Sequence, residues 1–409
     1  MRQISYTKLF CLMLCLSITS LTYADQSFTV GTDSASTAEG EAFDKINRFR
    51  ADPQGELARI FSEMTGDSYT QESLASILNN APSPLPANWW KNTFNGGGFS
   101  NLAFNSMDFW GTDPAVLQAQ WDALPETGSL YSYVWHGNVG WAAIQYANCV
   151  EMDGGASPNP HAVAGAPSLG SRFTDSGYTG WNNVGENIAP NFALDIEIMH
   201  AGFAIDWGPG ADSDGIQDGA GHRTSMLGNF TEMGIGIVDN GWAAGNVTQV
   251  QHFGRRFAEE YLFGYAYTTG DGYSFNNAST TASIEIEDLA GSTLLTTTPD
   301  QWGGYSFDLT SLNLGTYNLV ITDTIGGTSM TNTYEFSHNG DRVTQLNITA
   351  ASNSVILGDV NGDGVANLLD VDPFINLISS GTFQAEADTN GDGTVNLLDV
   401  DSFVAILSG

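Results

Sequence analysis

The sequence predicts a multidomain chain: an α+β region, then a small antiparallel β-sandwich, then a short α-helical repeat built on cation-binding loops. Three observations predict it. Helical and strand periodicities alternate between about residues 40 and 258, short β-branched runs fill 262–350, and residues 357–409 hold a tandem repeat that aligns without a gap. At 409 residues the chain is too long for one core.

The opening, "MRQISYTKLFCLMLCLSITSLTYADQ", sets Arg2 and Lys8 around the start of an apolar run, Leu9 to Leu21, and puts small residues at Thr22 and Ala24. That pattern reads as a secretory signal peptide over 1–24. The run is short for a bilayer and no later one could span it, so the expectation is a secreted or cell-surface protein without a transmembrane segment after cleavage. Cleavage leaves ten Lys plus Arg against 46 Asp plus Glu, a net charge of −36, which excludes nucleic acid as a partner. Such acidity suits life in salt or the binding of many cations. Cys11 and Cys15 leave with the signal, so Cys149 is alone and no intrachain disulfide forms. Its surroundings, "GWAAIQYANCVEMD", read as a packed helix with a buried, inert thiol.

In the first region, "EAFDKINRFRADPQGELARIF" spaces Ala42, Phe43, Ile46 and Phe49 helically and restarts at Asp52-Pro53, an N-cap followed by a first-turn proline. Residues 65–132 show no sustained period and read as a loop-rich insertion. A small-residue helix near Gly140 to Val150, a Gly/Pro-rich loop with His161, and a helix from Phe192 to Trp207 follow. The buried stripe of that last helix is Ile196, His200, Phe203 and Trp207, which makes His200 a core histidine. "MGIGIVD" and "VTQVQHFG" alternate as strands. His136, His252 and His338 suggest no constellation. "DSDGIQDGAG" gathers Asp212, Asp214 and Asp218 without calcium-loop spacing, and Arg223 is expected to pair with its acids.

In the second region, "TASIEIED" and "TYNLVIT" alternate between turns at Gly303-Gly304 and Gly326-Gly327. The segment "GGYSFDL…LGTYNLVI" resembles the carboxypeptidase-regulatory-like or prealbumin-like sandwiches of exported bacterial proteins, and it brings no chemistry of its own.

The repeat reads "DVNGDGVANLLDVDPFINLI" and "DTNGDGTVNLLDVDSFVAIL". Oxygen-bearing side chains fill loop positions one, three, five, nine and twelve: Asp359, Asn361, Asp363, Asn367 and Asp370, then Asp388, Asn390, Asp392, Asn396 and Asp399. Gly364 and Gly393 permit the turn, and Val365 and Thr394 offer carbonyls, so two Ca2+ sites are expected. Each loop leads straight into an apolar helix, and over 357–409 the pattern resembles the type I dockerin module. That resemblance implies docking onto a cohesin-like or other surface protein, commonly in assemblies that degrade polysaccharides. Dockerins usually carry polar residues at loop positions ten and eleven, where this chain has Leu368-Leu369 and Leu397-Leu398. These leucines either pack the two halves together or face a different partner.

The first region resembles the bacterial form of the CAP or SCP superfamily of cysteine-rich secretory, antigen 5 and pathogenesis-related proteins. "INRFRADP", "VWHGNVGWAAIQYANCVEM", "H…SRFTDSGY" around His161 and Arg172, "GENIA" and "GHRTSMLGNFTEMGIGI" carry the likeness. It implies an α-β-α sandwich whose cleft holds two histidines and two acids, here His161, His222, Glu186 and Asp206, with Zn2+ or another divalent ion on the histidines. Carboxylates suit the task of orienting those rings. The favoured expectation is a cleft that binds an extracellular small or polymeric ligand. The alternatives are a metal-dependent hydrolase of peptide or glycan, with Glu186 as base, and a structural or adhesion protein.

Overall fold

A sheet with helices on both faces builds the first region of the computed structural model. The model describes residues 28–409 except 95–99, 155–156, 158, 192–194, 240–246, 270–272, 342, 352–356, 362–365, 381–383, 385, 391–393 and 409. The expected signal peptide, 1–24, lies outside the described residues. Helix α1 (Thr37–Ala51) starts at a reciprocal cap in which Glu39 N donates to Ser36 Oγ and Ser36 N to Glu39 Oε2. The expected restart at Asp52-Pro53 is displaced: α2 (Glu56–Thr65) begins behind Gly55, because Asp52 closes α1 and its carboxylate accepts from Thr127 and Arg59.

Residues 65–132, expected to be rich in loops, hold four helices among the described residues that cover half of the stretch. They form α3 (Gln71–Asn79), α4 (Trp89–Thr93), α5 (Ser100–Trp110) and α6 (Pro114–Asp122). Leu74, Trp90, Phe94, Phe104 and Trp121 enter the same core as Ile46, Phe49 and Phe61. These helices are short and held by a few large anchors, so no repeating stripe shows in the sequence.

After β1 (Val134–Trp135) come α7 (Gly137–Asp153), α8 (Leu169–Asp175), β2 (Trp181–Asn191), α9 (Ile196–Ile205), α10 (Gly221–Met226), β3 (Glu232–Asp239) and β4 (Val247–Arg256). The sheet order is β1-β3-β4-β2, which leaves β2 on an edge; only the β1–β3 pair is parallel. Met233 and Ile235 face the core shared with α1 and α9, while Gly234 and Gly236 face α7. A Cβ on either glycine would run into the α7 backbone at Gly140 or Ala143-Ile144. The small residues of α7 and of "MGIGI" are therefore one packing device. Cys149 is buried in α7, and burial pushes its thiol up to about 11, too high for a thiolate nucleophile.

The second region has β5 (Tyr261–Tyr267), β6 (Ser283–Glu287), β7 (Thr293–Thr297), β8 (Gly304–Asp308), β9 (Gly315–Ile325), β10 (Thr328–His338), β11 (Val343–Gln345) and β12 (Ile348–Thr349). One sheet, β10-β9-β6-β7, is antiparallel. In the other, β5 pairs antiparallel with β8 but parallel with β11 and β12, which corrects the purely antiparallel expectation. Alternation fixes which face a residue takes, not the direction of its partner strand. The sheets share Leu262, Ala266, Ile284, Phe307, Leu319 and Ile321 as a core.

The seam between the first two regions is packed. Tyr131 stacks on Phe263 at 4.5 Å, Tyr265 Oη donates to Leu130 O at 2.6 Å, and Trp302 Nε1 donates to Asp44 O at 3.0 Å. In the C-terminal repeat, α11 (Val371–Ser380) and α12 (Val400–Ser408) meet through stacked Phe374 and Phe403, 3.8 Å apart. Leu368, Leu369, Leu397 and Leu398 are 79, 69, 76 and 71% exposed, so they do not join the halves.

Candidate functional site

Edge strand β2 forms the floor of a groove of about 490 Å3, lined by His161, Glu186, Asn187, Asp206, Pro209, Gln217, Asp218, Gly221, His222 and Ser225. All four residues expected in the cleft meet there. Successive strand residues point to opposite faces, and the pairing of Glu186 with His252 and of Ile188 with Val250 sets Glu186 on the α7 side of the sheet. Asn187 points the other way and donates to His222 O at 3.0 Å and to Gln251 Oε1 at 3.0 Å. The groove thus wraps a sheet edge and takes one histidine from a turn over one face and one from the short helix α10 over the other.

His161 sits on a short turn, Pro160–Ala162, whose backbone is pinned twice: Tyr146 Oη donates to Pro160 O at 2.6 Å and Arg172 Nη2 to His161 O at 2.8 Å. Its Nδ1 lies 2.9 Å from Glu186 Oε1. The other oxygen, Oε2, receives Arg172 Nη1 and His252 Nε2, the latter at 2.8 Å. Burial alone would raise the Glu186 carboxyl, but the bonds from His161 and His252 and the Arg172 charge bring it down to about 2.

Asp206 ends α9 in the left-handed region at φ 60°, where its backbone N–H closes the helix on Gly202 O. A short polar side chain tolerates that conformation. Its carboxylate accepts from His222 N at 2.9 Å and from Gln217 Nε2 at 2.9 Å, and Oδ1 lies 2.7 Å from His222 Nδ1. Phe203 packs edge-on against the His222 ring at 5.1 Å. The two carboxylates are 3 and 1% exposed, against 44 and 20% for their histidines, so the rings rather than the acids meet solvent. With each Nδ1 committed to a carboxylate, Nε2 is the ring atom left for a ligand.

Sequence reading missed His252, which is fully buried opposite Glu186. Strand register places it there, and one sequence carries no signal for register. Arg223 also differs from expectation: it donates to Ala204 O at 3.0 Å and to Ile205 O and Gln120, closing the end of α9 over Trp121, and makes no pair with the 212–218 acids. Asp214 and Asp218 accept from Ile216 N and Ala211 N of their own loop. His200 is a core residue as read, with Nε2 2.8 Å from Glu56 Oε1. Among the described residues no three His, Cys, Asp or Glu side chains are grouped to hold a metal.

In the repeat, Asp363, Val365 and Asp392 lie outside the described residues. Of the rest, Asp370 and Asp399 are fully buried, and both bridge their loops identically: Asp370 accepts Asn361 N at 2.8 Å and Asn367 N at 2.8 Å, and Asp399 accepts Asn390 N at 3.1 Å and Asn396 N at 2.9 Å. Asp359 is buried too. Residues 343–409 contain no Lys, Arg or His, so no side chain there can neutralise these acids. Hard oxygen donors around buried, uncompensated negative charge suit Ca2+. Residues 357–404 match the type I dockerin domain. Type I dockerin domains bind calcium, so the match and the donor set agree. No curated protein matches the chain.

Proposed function

We propose that this is an exported modular protein, with a CAP-type first region (about 40–258) whose groove binds a divalent cation and an extracellular ligand. A β-sandwich (262–350) is packed against that region, and a dockerin-like module (357–409) anchors the whole through calcium to a cohesin-type or other surface partner. The observation that carries the cleft reading is the pair of histidines, each tied through Nδ1 to a buried carboxylate and each keeping Nε2 for the groove. His161 and His222 would hold Zn2+ or a similar ion, which would supply a Lewis acid with open positions. Glu186 and Asp206 hold the rings in one tautomer, Asn187 ties the His222 backbone to β2, and Gln217 fixes Asp206.

The hydrolase alternative assigned Glu186 as base. A carboxylate with three donors and a pKa near 2 is a poor proton acceptor at neutral pH, so binding is favoured over turnover. On the anchoring side, the exposed leucine pairs form an apolar docking face in place of the polar one usual in dockerins.

Zinc titration calorimetry of the full chain in saturating calcium tests the cleft, against a His161→Ala/His222→Ala double variant of equal thermal stability. One zinc bound by the parent and lost in the variant supports the reading. Equal binding by both, or by neither, removes it and leaves the structural or adhesive alternative.

A further inference from the structure

The groove's geometry extends to a residue that does not line it. His252 lies on β4 directly across from Glu186 and is fully buried between Phe173, whose ring is 4.8 Å away, and Tyr146, at 6.4 Å. Its Nε2 is 2.8 Å from Glu186 Oε2, while its Nδ1 has no hydrogen-bond partner among the described residues. Burial favours the neutral form of such an imidazole, and the carboxylate opposite Nε2 favours the tautomer with its proton there. It therefore donates to Glu186, beside Arg172 Nη1 on the same oxygen. Oε2 is thereby saturated, and Oε1 is the oxygen left to accept a hydrogen bond from His161 Nδ1.

We propose that His252 is a positioning residue of the cleft: by occupying Glu186 Oε2 it directs Oε1 to His161, fixes His161 as its Nδ1–H tautomer, and so presents the Nε2 lone pair to the groove. Arg172 alone cannot do this. Its three nitrogens are shared among Pro167 O, His161 O and Glu186, so it follows the loop as well as the acid. His252 comes from the sheet and gives Glu186 a fixed point independent of that loop. The role in ligand binding rests on the cleft reading above; the tautomer does not.

The test uses the full chain, labelled with 15N-histidine, free of zinc and saturated with calcium. Two-bond proton–nitrogen spectra report the His161 tautomer in the parent, in His252→Phe and in His252→Gln, whose amide can donate from nearly the Nε2 position. The expected result is a pure Nδ1–H tautomer in the parent, a mixture in His252→Phe, and recovery in His252→Gln. Zinc affinity should follow, falling about 10- to 100-fold in the Phe variant and largely returning in the Gln variant. An unchanged His161 tautomer in a folded His252→Phe overturns the proposal. If that variant fails to fold, His252→Gln decides: loss of the Nδ1–H form despite a retained donor also overturns it. Should the parent bind no zinc, the cleft reading fails while the tautomer result still stands or falls by itself.

Discussion

Buried carboxylates occur in both the groove and the C-terminal repeat, and the two regions treat them in opposite ways. Glu186 is met by His161, His252 and Arg172, and Asp206 by His222 and Gln217. Among the described residues, Asp370 and Asp399 are met by backbone N–H groups, in a stretch of 67 residues, 343–409, without a basic side chain. The first arrangement is satisfied by the chain's own side chains, with Arg172 bringing a positive charge to Glu186. The second has a donor set that suits Ca2+, so the expectation is a site held by its own side chains in one place and a fold coupled to metal in the other.

The largest expected effect breaks the comparison at its weaker end. Chelating calcium from the full chain should unfold 357–409, with loss of α11 and α12 and rapid proteolysis there, while the first two regions keep their near-ultraviolet circular dichroism. A spectrum and a cleavage pattern indifferent to chelation would end the calcium reading of the repeat.

The next probes self-neutralisation in the first region at its most buried point. Glu56 is fully buried, with Arg48 Nη2 at 2.6 Å and His200 Nε2 at 2.8 Å. Burial pushes its carboxyl up, yet Arg48 and His200 outweigh that and hold it at about 2. Arg48→Met removes the nearer of the two guanidinium partners of Glu56, leaving Arg59 Nη1 at 3.3 Å and His200 Nε2 at 2.8 Å, and should cost about 3 kcal/mol in urea denaturation. A cost below about 1 kcal/mol would show that the network relaxes around the loss. The pH dependence has a definite sign. Glu56 and Glu186 both titrate lower in the fold than their ordinary 4.5, so their contribution is full above that value and drains away as pH falls toward 2. Acid melts should therefore lower the first region's midpoint between about pH 4.5 and 2, and a flat profile there would contradict the pairing.

How much of this was legible follows from the same contrast. The repeat was legible because one short loop supplies every ligand position, so sequence spacing is spatial spacing. The cleft was legible only through family likeness: His161, Glu186, Asp206 and His222 come from a turn, an edge strand, a helix end and a short helix. Nothing local marks them as neighbours. His252 stayed hidden because register between β2 and β4 decides its partner, and the helices of 65–132 because isolated aromatic anchors leave no period.

A smaller effect sharpens the distinction between orienting and reacting groups. Glu186→Gln keeps an acceptor for one donor but removes the charge, so zinc affinity should fall about 10-fold while His161→Ala/His222→Ala abolishes it. Equal loss in both would make Glu186 a ligand rather than an orienter.

The smallest expected effect concerns a third arrangement, a buried carboxylate served by neither cation nor metal. Asp300 lies in the seam between the first two regions, where Oδ1 accepts Trp302 N at 2.8 Å and Gly304 N at 2.8 Å and Oδ2 accepts Ser132 Oγ at 3.2 Å. Burial outweighs these bonds, with Asp44 adding to it, and raises the carboxyl to about 6. Because its folded pKa is above its unfolded one, the ionised form is disfavoured by folding: the penalty is complete above about pH 6 and absent below the ordinary 3.8. Asparagine has the same shape. Its Oδ1 keeps both backbone donors and its Nδ2 can donate to Ser132 Oγ, so Asp300→Asn should stabilise the seam by about 1–2 kcal/mol at pH 7.5 and by little at pH 4. Equal effects at the two pH values would mean that the seam admits water and screens the charge, leaving its N–H donors sufficient for a carboxylate without any counter-ion.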